Sequence, residues 1–461
     1  MANQTALSPF GTTGDASFCV TAEGLRAGTL YSMPKQAIIE PGGSVMPHDA
    51  CRLFFSFQGL LNRDLRKNRI ALIVSPETEN ERFWLDYISR ADTVLDELET
   101  VTVGSFDAFL KTFEAQLVGC GMVLWDPEVP ATANAAATIC GLDGFLPVKA
   151  DPRPDGLQAR LRAMGAEVRQ SLAGMFTGGG TIPDTGEQSS GSAKCDVYLW
   201  AMERYMDRCS AKYMAYLPDG AGCVRTCRTY LEDACAKNPF GANKLPNHDY
   251  AIARRAFFFD LTPTDSEPPC DDPGQPPGTD LKTLRRLLLR RYELAGGEWG
   301  EVVGFPPWQL KYSSHNDWGS LHATTVEAHF TLLATGYNLY VDADGVMANA
   351  SVYYHYPLKG SYQNGDKSVT EKFEPDTVYL YYHIGDYDSS PWTFTHLANA
   401  FRDAGRGKIP LTWAVNPSLS DRVPMVFDYI YSNLSPADTV CASDSGVGYM
   451  RPQNIFHTPD E

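Results

Sequence analysis

Ile70-Ala71-Leu72-Ile73-Val74 is an unbroken apolar run, the pattern of a strand buried on both faces of a parallel sheet. Working outward from it, strand patterns recur at Leu30-Tyr31-Ser32-Met33, Val101-Thr102-Val103, Met122-Val123-Leu124-Trp125 and Phe145-Leu146-Pro147-Val148. Helical stretches separate them: 51–61 behind a possible cap at Asp49, 80–91, 106–118 behind Ser105, and the alanine-rich 131–140. Strands separated by helices of roughly 10–15 residues predict a doubly wound α/β domain. No GxGxxG follows the first strand, so a dinucleotide is not implied.

The rest of the chain divides around this domain, which we place at 29–175. Residues 1–28 read as an unpatterned arm, and 176–193 have linker composition, with Gly178-Gly179-Gly180 and Ser189-Ser190-Gly191-Ser192. Residues 194–298 read as a mainly helical, cysteine-rich region. From 299 to 461 aromatic and histidine density rises, and strand patterns fall at 302–305, 337–342, 377–383, 409–413 and 439–441, with helices at 393–403 and 423–433. That order suits an open sheet or a (β/α) barrel-like domain, and the barrel would be incomplete, because a full one needs about eight strands.

Composition removes several classes of function. Hydrophobic residues at 43% and charged residues at 21% are globular values. No apolar run approaches the roughly 18–20 residues of a spanning helix. The 56 acidic residues against 39 basic ones, net −17, repel phosphate backbones and argue against nucleic acid. Of eleven cysteines, Cys195, Cys209, Cys223, Cys227 and Cys235 cluster without the paired CxxC spacing of a zinc site. Disulfides in a secreted protein are the expectation, with buried free thiols as the alternative. The N-terminus lacks the features of a signal peptide, and sequons stand at Asn3, Asn349 and Asn433.

Polar residues gather where the C-terminal strand patterns end, the place where α/β folds put their sites. His383-Ile384-Gly385-Asp386-Tyr387-Asp388 sets two carboxylates at i and i+2, on one side of an extended chain with Cα atoms about 6.5 Å apart. Glycosidases work with two carboxylates flanking the scissile bond, about 5–5.5 Å apart for retention and about 6.5–9.5 Å for inversion. The competing reading has Asp386 and Asp388 capping the helix that follows at Pro391-Trp392. The next strand pattern ends in Trp413-Ala414-Val415-Asn416, and Trp308, Tyr382, Trp392 and Tyr449 add aromatic faces of the kind that hold sugars. Each of these alone fits a core position as well. His315, His322 and His329 match no metal-binding spacing, and Asp342-Ala343-Asp344-Gly345 reads as a turn rather than a calcium loop. No cofactor or metal is expected.

The last strand pattern runs into Ser443-Asp444-Ser445-Gly446-Val447-Gly448-Tyr449-Met450-Arg451-Pro452. Its Gly446, Gly448, Tyr449 and Pro452 resemble the signature of the GxGYxYP family of putative glycoside hydrolases. Gln58-Gly59-Leu60-Leu61-Asn62-Arg63, the stretch from Trp125 to Thr132, Gly385-Asp386-Tyr387-Asp388 and Gly407-Lys408-Ile409-Pro410 look like further blocks of that family. The resemblance implies secreted proteins with N-terminal α/β domains and a barrel-like C-terminal domain that continues past the position of Glu461. Arg451 departs from the signature's second tyrosine, and Tyr387 and Ser389 replace a more usual glycine and asparagine.

These readings converge on an extracellular glycoside hydrolase-like protein. Its expected catalytic carboxylates are Asp386 and Asp388, with Asp444 assisting. His383, Trp392, Trp413, Asn416, Gly446, Gly448, Tyr449 and Trp308 would hold the sugar, and homo-oligomerisation stays open. The rival is a non-catalytic carbohydrate-binding or structural protein; a third class, metal-dependent deacetylation, would use the histidine cluster.

Overall fold

The computed structural model describes residues 20–218, 245, 248–265, 272, 274–304, 306, 323–342, 347–358, 360–364, 372–385, 389–443 and 445–455. Thirteen strands are named among them, and every pairing between these strands is parallel. The apolar run Ile70–Val74 is β2, buried along its whole length as its composition requires. It pairs with β1 (Thr29–Met33), and β3 (Glu99–Thr102) flanks β1 on the other side, in the order β2-β1-β3.

The doubly wound expectation needs a correction here, because the 29–175 series forms two sheets. β4 (Met122–Trp125), β5 (Leu146–Lys149) and β6 (Val168–Ser171) make a second one in the order β5-β4-β6. The helix Pro47–Asn62 explains the split. It is buried from Asp49 through Asn62 and packs on β2 of one sheet and β5 of the other, so it is a pillar between sheets rather than the cover of one. β6 escapes sequence reading because Val-Arg-Gln-Ser alternates in burial at a sheet edge.

The block Gln58–Arg63 has a packing role on this pillar. The helix His248–Ala253 crosses so near that a Cβ on Gly59 would lie 2.4 Å from the carbonyl oxygen of Asp249. Gln58 and Asn62 donate to the carbonyl oxygen of Leu72 at 3.0 and 2.9 Å, and Arg63 donates to the carbonyl oxygens of Gly141 and Ile252. The sequon Asn349 belongs to this interior: its amide oxygen accepts from Gln58 and from the Val74 N–H, both at 2.8 Å. It is not presented for glycosylation.

The third sheet brings together β7 (Tyr213–Tyr216), β8 (Phe257–Phe259), β9 (Gly300–Val303) and β10 (Leu339–Asp342) in the order β10-β9-β7-β8. Two strands therefore lie within 194–298, which reads as mainly helical in sequence, and they join strands beyond residue 298. Tyr-Met-Ala-Tyr and Phe-Phe-Phe are short apolar runs without helix or strand period, so sequence cannot assign them. The fourth sheet holds β11 (His383–Ile384), β12 (Leu411–Val415) and β13 (Asp438–Ala442) in that order. The five strands expected of a barrel are thus shared between two sheets, and no closed sheet occurs among the described residues.

The N-terminal α/β part and the region after residue 390 are packed together. Trp84, on the helix Glu79–Ile88, stacks on Phe394 of the helix Ser390–Phe401 with ring centroids 5.5 Å apart. Its indole N–H donates to the Phe394 carbonyl at 2.7 Å, and Tyr87 donates to Asp428 at 3.0 Å. No described helix is long and apolar enough to cross a membrane.

Candidate functional site at the strand ends

The glycine signature folds back onto β10. Tyr449 and Val341 form an antiparallel bridge, with N–H to O distances of 2.9 and 2.7 Å. Gly448 makes this possible: its φ is +53°, and a Cβ there would stand 2.6 Å from the Val341 carbonyl oxygen. Its N–H donates at 3.0 Å to the amide oxygen of Asn416, the residue following β12, and the same oxygen accepts the Ser418 N–H at 3.0 Å. The Arg451 N–H donates to Thr335 on the helix Ala323–Gly336 at 2.9 Å. One segment thereby ties the carboxyl ends of β10, β12 and β13 together.

Next to this knot, at the last residue of β10, the carboxylate of Asp342 faces inward. One oxygen accepts the Ser390 N–H at 2.7 Å, at the amino end of the helix Ser390–Phe401. The other is paired with Arg422 at 2.9 Å, and both side chains are buried. Ser390 and Ser418 hydroxyls lie 3.2 Å apart. Beneath Asp342 on the same sheet face, Glu301 of β9 stands opposite Tyr340 in register and accepts from its hydroxyl at 3.3 Å. Glu301 is fully buried, and that burial, reinforced by the Asp342 carboxylate, pushes its pKa up to about 8.

Asp342, Glu301, Tyr340 and Arg422 carried no functional signal in the sequence beyond the turn reading of Asp342. A glutamate in Gly-Glu-Val-Val and an arginine two residues before a proline look like surface positions until the fold buries them.

The expected site residues divide into three groups. Asp386, Asp388, Asp444 and Trp308 lie outside the described residues, as do His315 and His322; the side chain of Trp392 also lies outside. Asn416, Gly446, Gly448 and Tyr449 fall within the signature knot, where Asn416 and Gly448 serve its folding. Asn416 is buried, and the Gly446 N–H donates to the Ser443 carbonyl at 2.8 Å. Trp413 requires a correction: its indole is 2% exposed, packs on Phe401 and donates to Asp438 at 2.9 Å. An indole so enclosed offers no face to a sugar. His383 is exposed beside Tyr381 on the edge strand β11.

The disulfide expectation finds no support at the described cysteines of the cluster. Cys195 and Cys209 are free thiols, as are Cys51, Cys120 and Cys140, while Cys19, Cys223, Cys227, Cys235 and Cys270 lie outside the described residues. Burial pushes Cys120 up to about 12 and raises Cys195 well above its ordinary value, which keeps these thiols protonated and inert. Among the described residues no group of His, Cys, Asp and Glu is arranged to hold a metal ion. A cavity of about 440 Å³ is lined by Glu23, Leu25, Lys111, Glu114 and Met164, all from the N-terminal part rather than from these strand ends.

Fold and site together define the class: a layered α/β protein of parallel sheets whose polar residues converge at strand carboxyl ends, the usual place of an α/β binding site. Comparison with known families makes this more specific. Residues 376–458 match the GxGYxYP putative glycoside hydrolase C-terminal domain, and residues 120–209 match the GxGYxYP_N second domain. Two domain models of the GxGYxYP family thus match separate parts of this chain. Among solved structures it is similar to a crystal structure of a putative hydrolase from Bacteroides thetaiotaomicron VPI-5482, with a TM-score of 0.60 at 15% identity. That similarity covers 93% of this chain and 65% of the other, so the chain spans about two thirds of its length. At this identity the likeness speaks for the fold. No curated protein matches.

Proposed function

We propose that the chain hydrolyses a glycosidic bond at the carboxyl ends of β10 to β13, with Asp386 and Asp388 as the carboxylate pair and Asp444 assisting. The observation that carries this reading is the knot itself. Gly448 on Asn416, Tyr449 on Val341 and Ser390 on Asp342 bind together the carboxyl ends of β10 and β12 with the segment after β13, and the three aspartates follow β11 and β13 closely in sequence. The matched C-terminal domain description supports carbohydrate as the substrate class. In this proposal the knot positions and the aspartates perform the chemistry, with one carboxylic acid protonating the leaving oxygen while the other acts as base or nucleophile. Tyr449 and the exposed His383 would flank the sugar. Extracellular delivery belongs to the same proposal and rests on the family likeness.

Asp386→Asn and Asp388→Asn, assayed singly on a glycan panel, test the reading. Loss of about 10² or more in turnover is expected for at least one of them; undiminished turnover in both sinks it. Arg451, where the signature has a tyrosine, favours a second reading of carbohydrate binding without cleavage. Glycan binding that is equal in wild type and both variants, with no product released, would establish that reading.

A further inference from the structure

Glu301 has no part in the proposed hydrolysis, yet its surroundings are unusual for a carboxyl group. It stands in the middle of the sheet β10-β9-β7-β8, between Tyr213 of β7 and Tyr340 of β10. Tyr340 reaches one carboxyl oxygen at 3.3 Å, and Oε1 has no hydrogen-bond partner among the described residues. Two positions beyond Tyr340, on the same face, is Asp342, held by Arg422 at 2.9 Å and by the Ser390 N–H at 2.7 Å.

The charges around Glu301 are already answered. From β7 and the residue before it come Tyr213 and Lys212, and Lys212 is paired with Asp421. From the helix His248–Ala253 and its end come Tyr250 and Arg254. Arg254 lies over the Tyr213 and Tyr250 rings and donates to the Tyr213 hydroxyl at 2.6 Å. From β10 come Tyr340 and Asp342; from the helix Leu419–Arg422 come Asp421 and Arg422. Arg422 pairs with Asp342. An ionised Glu301 would therefore be a second carboxylate drawing on one arginine in the protein interior, and an uncompensated buried charge is strongly disfavoured. The upward shift of Glu301, caused first by burial and then by Asp342, agrees with this count.

We propose that Glu301 is stored as the neutral acid at neutral pH and that its ionisation competes for Arg422, so that the hold of Asp342 on Ser390 at the strand-end site is proton-linked. Arg422 has the donors to respond, since its Nε and Nη2 make no hydrogen bond among the described residues. Asp342 is a positioning residue in this scheme, and Glu301 sets its strength. The scheme does not depend on the hydrolase reading: it concerns how the site is held, whatever is bound there.

The test follows the Ser390 amide, whose acceptor is Asp342, by NMR of [15N]serine-labelled protein with the resonance assigned through Ser390→Ala. In wild type a single titration with a midpoint well above the ordinary carboxylate range is expected, and it should vanish in Glu301→Gln. A Ser390 resonance that does not move between about pH 6.5 and 9.5 overturns the proposal, as does a titration that survives in the Gln variant. If Glu301→Gln does not fold, the wild-type titration decides alone. A purely structural Glu301 would leave that amide flat.

Discussion

At the scale of single residues, the GxGYxYP signature has a mechanical explanation. Gly446 and Gly448 both take positive φ, but for different ends. Gly446 has open space around its missing Cβ, whereas Gly448 presses on the backbone of β10. Gly446→Ala should cost only the left-handed conformation, about 1–2 kcal/mol. Gly448→Ala adds a collision with the Val341 carbonyl and should lose roughly 3 kcal/mol or more, with the Tyr449 bridge opened. Urea midpoints of the two variants check the order; equal losses would mean that close approach to β10 is not what Gly448 supplies. The sequence displayed both glycines, and spacing alone could not separate a turn glycine from a contact glycine. That distinction needs the partner strand, about a hundred residues away in sequence.

At the scale of elements, the chain is held by helices that meet far from where their sequences begin. The helix Glu79–Ile88 has the amphipathic pattern and capping box of an ordinary cover helix. Its Trp84 and Tyr87 nevertheless reach Phe394 and Asp428, more than 300 residues further along the chain. Trp84→Ala should remove about 3–5 kcal/mol. Trp84→Phe keeps most of the packing and loses only the indole hydrogen bond to the Phe394 carbonyl, for about 0.5–1.5 kcal/mol. Thermal melts of both variants test this. If Trp84→Ala lowers a transition belonging to the N-terminal part alone, that part and the region after residue 390 do not unfold together. The strand patterns around Ile70–Val74 were legible because buried parallel strands are continuous apolar runs. β6, β7 and β8 were not, since an alternating edge strand and very short aromatic runs carry no distinctive period.

At the scale of the whole molecule, buried titratable groups set opposite pH limbs. His355 is buried and its pKa is held down near 4, and burial also lowers His248. Unfolded histidines take up protons from about pH 6.5 downward while these do not, so their stability is present above that pH and is lost as pH falls. Glu301, raised to about 8, and Asp249, raised to about 6, act in the other direction: their contribution is full below the unfolded carboxyl range and is lost as pH rises. Between about pH 6.5 and 8 only the Glu301 limb of these four is active, so stability should decline across that window and decline less in Glu301→Gln. His355→Gln should flatten the acid limb between about pH 6.5 and 4.5. Denaturant midpoints at about pH 4.5, 6.5 and 8.5 read both; an unchanged slope in either variant removes that group from the account.

What the sequence determined by itself is the set of local patterns: parallel-type strands, alternating helices, and the signature that resembles that of the GxGYxYP family. These survive because burial on two faces and tight glycine turns leave their mark within a few residues. Only the tertiary structure decided that the strands divide into four sheets, with the helix Pro47–Asn62 between two of them, and that Trp413 belongs to the core. It also decided that Asp342, Arg422 and Glu301 lie behind the strand ends. Those outcomes depend on which distant surfaces meet. A carboxylate, an arginine or an indole looks the same in sequence whether its neighbour is water or another side chain.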